Sequence, residues 1–151
     1  MIYVPGEQYR RGTQRCSDPD CSRYMEVREA PTVRFSRSER IASEGLSREF
    51  AADLVSSFTR SEVGLHPYQP VRDRIIRGGS EWLPAILRGN IVPAKVLIEI
   101  ANLNNPADRA LLQSASFRET FARAFVDALL RYYNARAPGK SSGPKLAQHR
   151  H

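Results

Sequence analysis

At 151 residues the chain falls in the range of one domain, and 41% hydrophobic residues suffice for a proper core. The formal net charge is +7, nearly all of it arginine, with lysine only at Lys95, Lys140 and Lys145. The arginines are spread out and no recognition motif is visible, which points away from nucleic acid as a partner. No apolar run approaches the ~20 residues of a membrane helix.

Ile2-Tyr3-Val4 reads as a strand that begins at the start of the chain and ends at Pro5-Gly6. The opening lacks the basic n-region and the apolar h-region, roughly 7–15 residues, of a signal peptide. A chain that opens in mid-strand raises the expectation of a segment missing upstream. Residues 6–37 read as irregular, with Thr32-Val33-Arg34-Phe35 as a brief strand. Cys16 and Cys21 frame four residues, a spacing that fits half of a zinc site. Structural zinc wants four ligands, and neither a second cysteine pair nor a nearby histidine is present. A local disulfide and two free thiols remain open alternatives.

The first strong helix is expected over residues 38–59, with Ser36 or Ser38 as its cap and Glu39 in the first turn. Ile41, Leu46, Phe50, Leu54 and Phe58 form its apolar stripe, widened by Ala42, Ala51, Ala52 and Val55, which should dock on a sheet. Residues 61–80 read as a connection broken by Gly64, Pro67 and Pro70 and closed by Gly78-Gly79. His66 lies in it as a loop histidine or a candidate metal ligand. In Trp82–Arg88 the second half reads as a strand, and Pro84 demotes the first half. Gly89-Asn90 is a turn.

Val96, Leu97, Ile98 and Ile100 read as an interior strand, with sheet on both edges and helices on both faces. Glu99 interrupts that run near its C-terminal end, where ligands bind in open α/β sheets. A carboxylate there is a candidate general base or acid, or the partner of an arginine. Asn105-Pro106-Ala107-Asp108 starts a short helix, with Asn105 as cap and Pro106 at the first helical position. Ser116-Phe117-Arg118-Glu119 reads as a capping box opening a second long helix to about Tyr133. Its buried face is Phe117, Phe121, Ala124, Phe125, Ala128 and Leu129. The domain is expected over residues 1–134, with a disordered tail over 135–151 in which His149 and His151 are too sparse for a metal site.

The order Ile86-Leu87-Arg88, turn, Pro93-Ala94-Lys95-Val96-Leu97-Ile98-Glu99, Asn102-Leu103-Asn104-Asn105-Pro106, short helix, long helix resembles the C-terminal half of the zinc-dependent N-acetylmuramoyl-L-alanine amidases. These are bacterial cell-wall hydrolases. The resemblance spans roughly residues 33–133. It implies an α/β fold with a mostly parallel twisted sheet flanked by helices, of which the N-terminal part is absent here. It also implies cleavage of the amide between N-acetylmuramic acid and L-alanine, with peptidoglycan as partner and a periplasmic or extracellular location. Glu99 matches the family's catalytic glutamate, which works with zinc-bound water. The family binds Zn2+ through two histidines and a glutamate, the last histidine in a Ser-x-His strand. None of these motifs occurs here, so the resemblance implies metal ligands upstream of Met1 and a chain inactive by itself. A non-catalytic amidase-like module that grips peptidoglycan or a protein is the alternative.

Overall fold

The structure, a computed structural model, describes residues 1–10, 13–15, 32–90 and 92–137. Its centre is β1 (Ile2–Tyr3), the middle strand of a three-stranded sheet. On one edge β1 runs parallel to β4 (Val71–Arg72), with Ile2 opposite Val71. On the other it runs antiparallel to β7 (Leu97–Ile98), with Ile2 opposite Ile98 and Tyr3 opposite Leu97. Alternation along β1 puts Ile2 and Val4 on one face and Tyr3 on the other, and all three are buried.

The interior strand is therefore β1, and the expectation for residues 96–100 is corrected. Among the described residues β7 pairs on one side only, is two residues long and is half-buried. Its apolar side chains suit a sheet edge covered on one face as well as they suit a centre. The class is a generic mixture of helices and small sheets. The main sheet has one parallel and one antiparallel pairing.

The helix-facing side of the sheet is covered by α1 (Arg37–Arg60) and α4 (Ala115–Asn134). These cross in antiparallel fashion, with Phe50 against Tyr132 and Phe58 against Phe121, both at 5.1 Å between ring centres. Ser36 opens α1 through a full capping box: its hydroxyl accepts from Glu39 N–H at 3.1 Å, and the Glu39 carboxylate accepts from Ser36 N–H at 2.7 Å.

The buried stripe of α1 is Ser43, Ser47, Phe50, Ala51, Leu54, Ser57 and Phe58. Ile41, expected on it, is 51% exposed. Serines occupy the face because each finds a partner there. Ser43 Oγ donates to the Pro93 carbonyl at 2.6 Å, and Ser57 Oγ donates to Asp127 at 2.7 Å. Ser47 Oγ donates to the Ser43 carbonyl and accepts from Lys95 N–H at 3.0 Å.

Two other expectations are corrected by the local chain. Residues 85–88 form a short helix, α2 (Ala85–Arg88), in which Leu87 N–H and Arg88 N–H both donate to the Pro84 carbonyl. Pro84 ends the preceding extension and leaves its carbonyl free to seed a turn, which buries Leu87 beside Leu83 and Tyr3 on the sheet's second face. The cap of α4 is Ser114, whose hydroxyl accepts from Phe117 N–H at 3.3 Å, two residues before the expected Ser116. In α3 (Pro106–Gln113), Asn105 Oδ1 accepts from Ala107 N–H at 2.9 Å, as the sequence indicated.

Residues 71–82 contain more order than a connection. β5 (Ile75–Arg77) and β6 (Ser80–Trp82) form a hairpin closed by Gly78-Gly79, with φ of 57° and 76°. Two successive positive φ angles are what a two-residue hairpin turn demands. A further antiparallel pair joins β2 (Thr13–Arg15) to β3 (Thr32–Arg34). Among the described residues no helix is long and apolar enough to cross a membrane. Cys16, Cys21, His149 and His151 lie outside the described residues.

Candidate functional site

Glu99 follows directly on β7, at the end of the sheet where β1 begins. Its N–H donates to the Met1 carbonyl at 2.8 Å, and its carbonyl accepts from the Met1 nitrogen at 2.7 Å. This reciprocal pair continues the antiparallel ladder by one step and fixes the backbone of Glu99. The side chain is exposed, and among the described residues its carboxylate makes no direct ion pair or hydrogen bond, though its charge reaches the Met1 ammonium. The arginine partner weighed for it is not found there.

Glu99 borders a hollow of about 50 Å³ between the sheet end and the helices. Phe58, Leu65, Leu111 and Phe121 give it a mostly apolar wall. Its volume is well below the roughly 300 Å³ at which small-molecule pockets begin. Glu99 thus stands on an open surface rather than in a deep pocket. A long polymer can reach such a surface, and a small substrate would gain little enclosure there.

The charge on Glu99 acts on its neighbours. Burial pushes the Tyr3 phenol above its ordinary value, the Glu99 carboxylate pushes it further, and Arg72 pulls it back. The register explains the grouping: Tyr3 and Glu99 sit on alternate positions of one sheet face, and Arg72 lies opposite Tyr3 on β4. Sequence reading missed Tyr3 and Arg72. The only signal for Tyr3 was a polar-tipped residue between two fully apolar ones.

His66 lies in the loop before β4, at the same end of the sheet, since Leu65 lines the Glu99 hollow. Its Nδ1 accepts from Gln69 N–H at 3.3 Å, and its Nε2 lies 3.3 Å from Arg72 Nη2. Both neighbours are donors, and a neutral imidazole has one accepting nitrogen, so one contact at a time is a true hydrogen bond. A guanidinium against one ring nitrogen and an amide against the other leave no opening for a dication. His66 therefore belongs to the loop that packs β4.

Zn2+ was the cofactor implied by resemblance. Among the described residues no group of three or more His, Cys, Asp or Glu side chains could hold a metal ion. Glu99 and His66 are brought to one end of the sheet, but they do not form a donor set. The residues described do not fit the ion.

No protein-family model, curated protein or solved structure matches the chain. What Glu99 can do alone is limited and definite. An exposed carboxylate can accept a proton from a water on the same surface, here with the Met1 ammonium close enough to feel its charge. The fixed backbone at Met1 and Glu99 holds it at a constant place relative to Tyr3.

Proposed function

We propose that this chain is the C-terminal portion, over residues 1–134, of an N-acetylmuramoyl-L-alanine amidase. It would contribute Glu99 to hydrolysis of the bond between N-acetylmuramic acid and L-alanine in peptidoglycan. The observation that carries this reading is the run Pro93 to Pro106, in which Glu99 directly follows a short strand and an Asn105-Pro106 helix start comes after it. The open position of Glu99 supports it, because a cell-wall polymer needs an unobstructed approach. On this reading the three strands belong to a larger, mostly parallel twisted sheet, and the protein acts in the periplasm or outside the cell. The chain's own part is to hold Glu99 and take a proton from attacking water. The metal of such enzymes would be bound by residues other than those described here, and the chain alone would hydrolyse nothing.

The test is made on the whole reading frame that contains this chain. Its product should be expressed with zinc and given a muramoyl-peptide. Release of a free L-alanyl amino terminus, seen by mass spectrometry, is the expected result. A reading frame that encodes no Ser-x-His segment before Met1, and a product that leaves the muramoyl-peptide whole, would count against the proposal.

The second reading is a non-catalytic module that grips peptidoglycan or a protein through its arginines. It requires the 151-residue chain to sediment with purified cell-wall sacculi, and to do so equally well after Glu99→Gln.

A further inference from the structure

At the other end of the sheet, after β1 and before β7, two cations are buried together. Arg10 is 5% exposed and Lys95 is 6% exposed. Arg10 Nη2 donates to the Asn90 carbonyl at 3.2 Å, while its Nε and Nη1 are buried with no hydrogen-bond partner. Lys95 Nζ donates to the same Asn90 carbonyl at 3.0 Å and to the Val92 carbonyl. An ammonium has three donors, so one remains. Arg40, also close to Arg10, is different, since it pairs with Glu7 at 3.0 Å. Among the described residues neither Arg10 nor Lys95 has a carboxylate partner.

Burying a charge is costly unless it is paired. Two like charges against one carbonyl raise that cost: Lys95 falls to about 8, from burial first and Arg10 second, while Arg10 is lowered by burial first and by Arg40 second. Both line a cavity of about 240 Å³. The rest of its lining is Phe35, Ala42, Leu46, Pro93, Ser43 and Glu39. Phe35 lies under the Arg10 guanidinium at 4.7 Å. The Ser43 hydroxyl is already given to Pro93, and the Glu39 carboxylate to Ser36.

We propose that this cavity binds a small monocarboxylate, with the carboxylate between Arg10 and Lys95 and a short apolar body against Phe35, Leu46 and Pro93. The site is independent of Glu99, which lies at the opposite end of β7. The apolar walls select against a phosphate, whose remaining oxygens would find too few donors, and the Glu39 charge at the lining repels a dianion.

The probe is propionate, titrated calorimetrically into the 151-residue protein, with inorganic phosphate and chloride at matched ionic strength as separate arms. The expected result is a saturable one-site isotherm for propionate alone, weakened at least tenfold in both Arg10→Gln and Lys95→Met. A flat propionate titration, or phosphate binding tighter than propionate, would overturn the proposal. Should Arg10→Gln fail to fold, Lys95→Met decides, because it removes an unpaired charge and keeps an apolar stem. Unchanged propionate affinity in folded Lys95→Met would also overturn it.

Discussion

Arg10 and Lys95, far apart in the chain, donate to one carbonyl oxygen, that of Asn90, at 3.2 and 3.0 Å. That shared acceptor makes the folding of the first loop and of the segment before β7 depend on each other. It also sets a pH dependence. Folded Lys95 loses its proton near pH 8, whereas an unfolded lysine keeps it to about 10.5. Between those values the unfolded chain holds more protons, so stability rises with pH across the window. The groups facing Lys95 there are Arg10, which stays charged, and Glu39, which stays ionised. Urea unfolding at pH 7 to 10 should show the wild type gaining on Lys95→Met above pH 8. Parallel curves would show that Lys95 keeps an ordinary pKa.

The buried face of α1 can be read out directly. Leu54 is fully buried between the helices and the sheet, so Leu54→Ala should cost about 2–5 kcal/mol in a urea titration. Ile41→Ala, on a half-exposed side chain, should fall within about 0.5 kcal/mol of wild type. The reverse order would restore the stripe that hydropathy alone suggests.

The helix starts make a sharper comparison. Ser36→Ala removes a reciprocal cap and should cost about 0.5–2 kcal/mol. Ser114→Ala should cost about as much, with Ser116→Ala near neutral, because Phe117 N–H is capped by Ser114. Thermal unfolding of the three variants separates the two assignments for α4.

In the Gly78-Gly79 hairpin, Gly79→Val places a β-branched residue at φ 76° and should cost at least about 1–2 kcal/mol. The same change at Gly45, on an exposed part of α1 with open space around it, should be much milder. Equal effects would mean that the turn does not need its positive φ angles.

Much of the fold was legible where local chemistry is strong. The serine cap ahead of Glu39, the Asn105-Pro106 start and the Phe117-to-Leu129 repeat each announced a helix that is present, although the cap was left open between Ser36 and Ser38. What failed was what depends on distant partners. Ser43, Ser47 and Ser57 look polar in sequence and are buried because Pro93, Lys95 and Asp127 meet them. Ile86-Leu87-Arg88 is too short an apolar run for periodicity to tell strand from turn. Gly78-Gly79 was a hairpin signal, read instead as the end of a loop. Glu99 was placed correctly at a strand end, but its strand lies at the edge and its pocket is shallow. The Arg10–Lys95 pair had one hint, a lysine inside the apolar run Ala94-Lys95-Val96.

The role of Glu99 is tested most directly by Glu99→Gln in the zinc-loaded product of the whole reading frame, with muramoyl-peptide as substrate. A carboxylate that takes the proton of water contributes roughly 10²–10⁴ in rate. The expected result is a fall in kcat of that size with KM little changed, since Glu99 would act on water rather than grip the substrate. A variant that turns over muramoyl-peptide at the wild-type rate would contradict it.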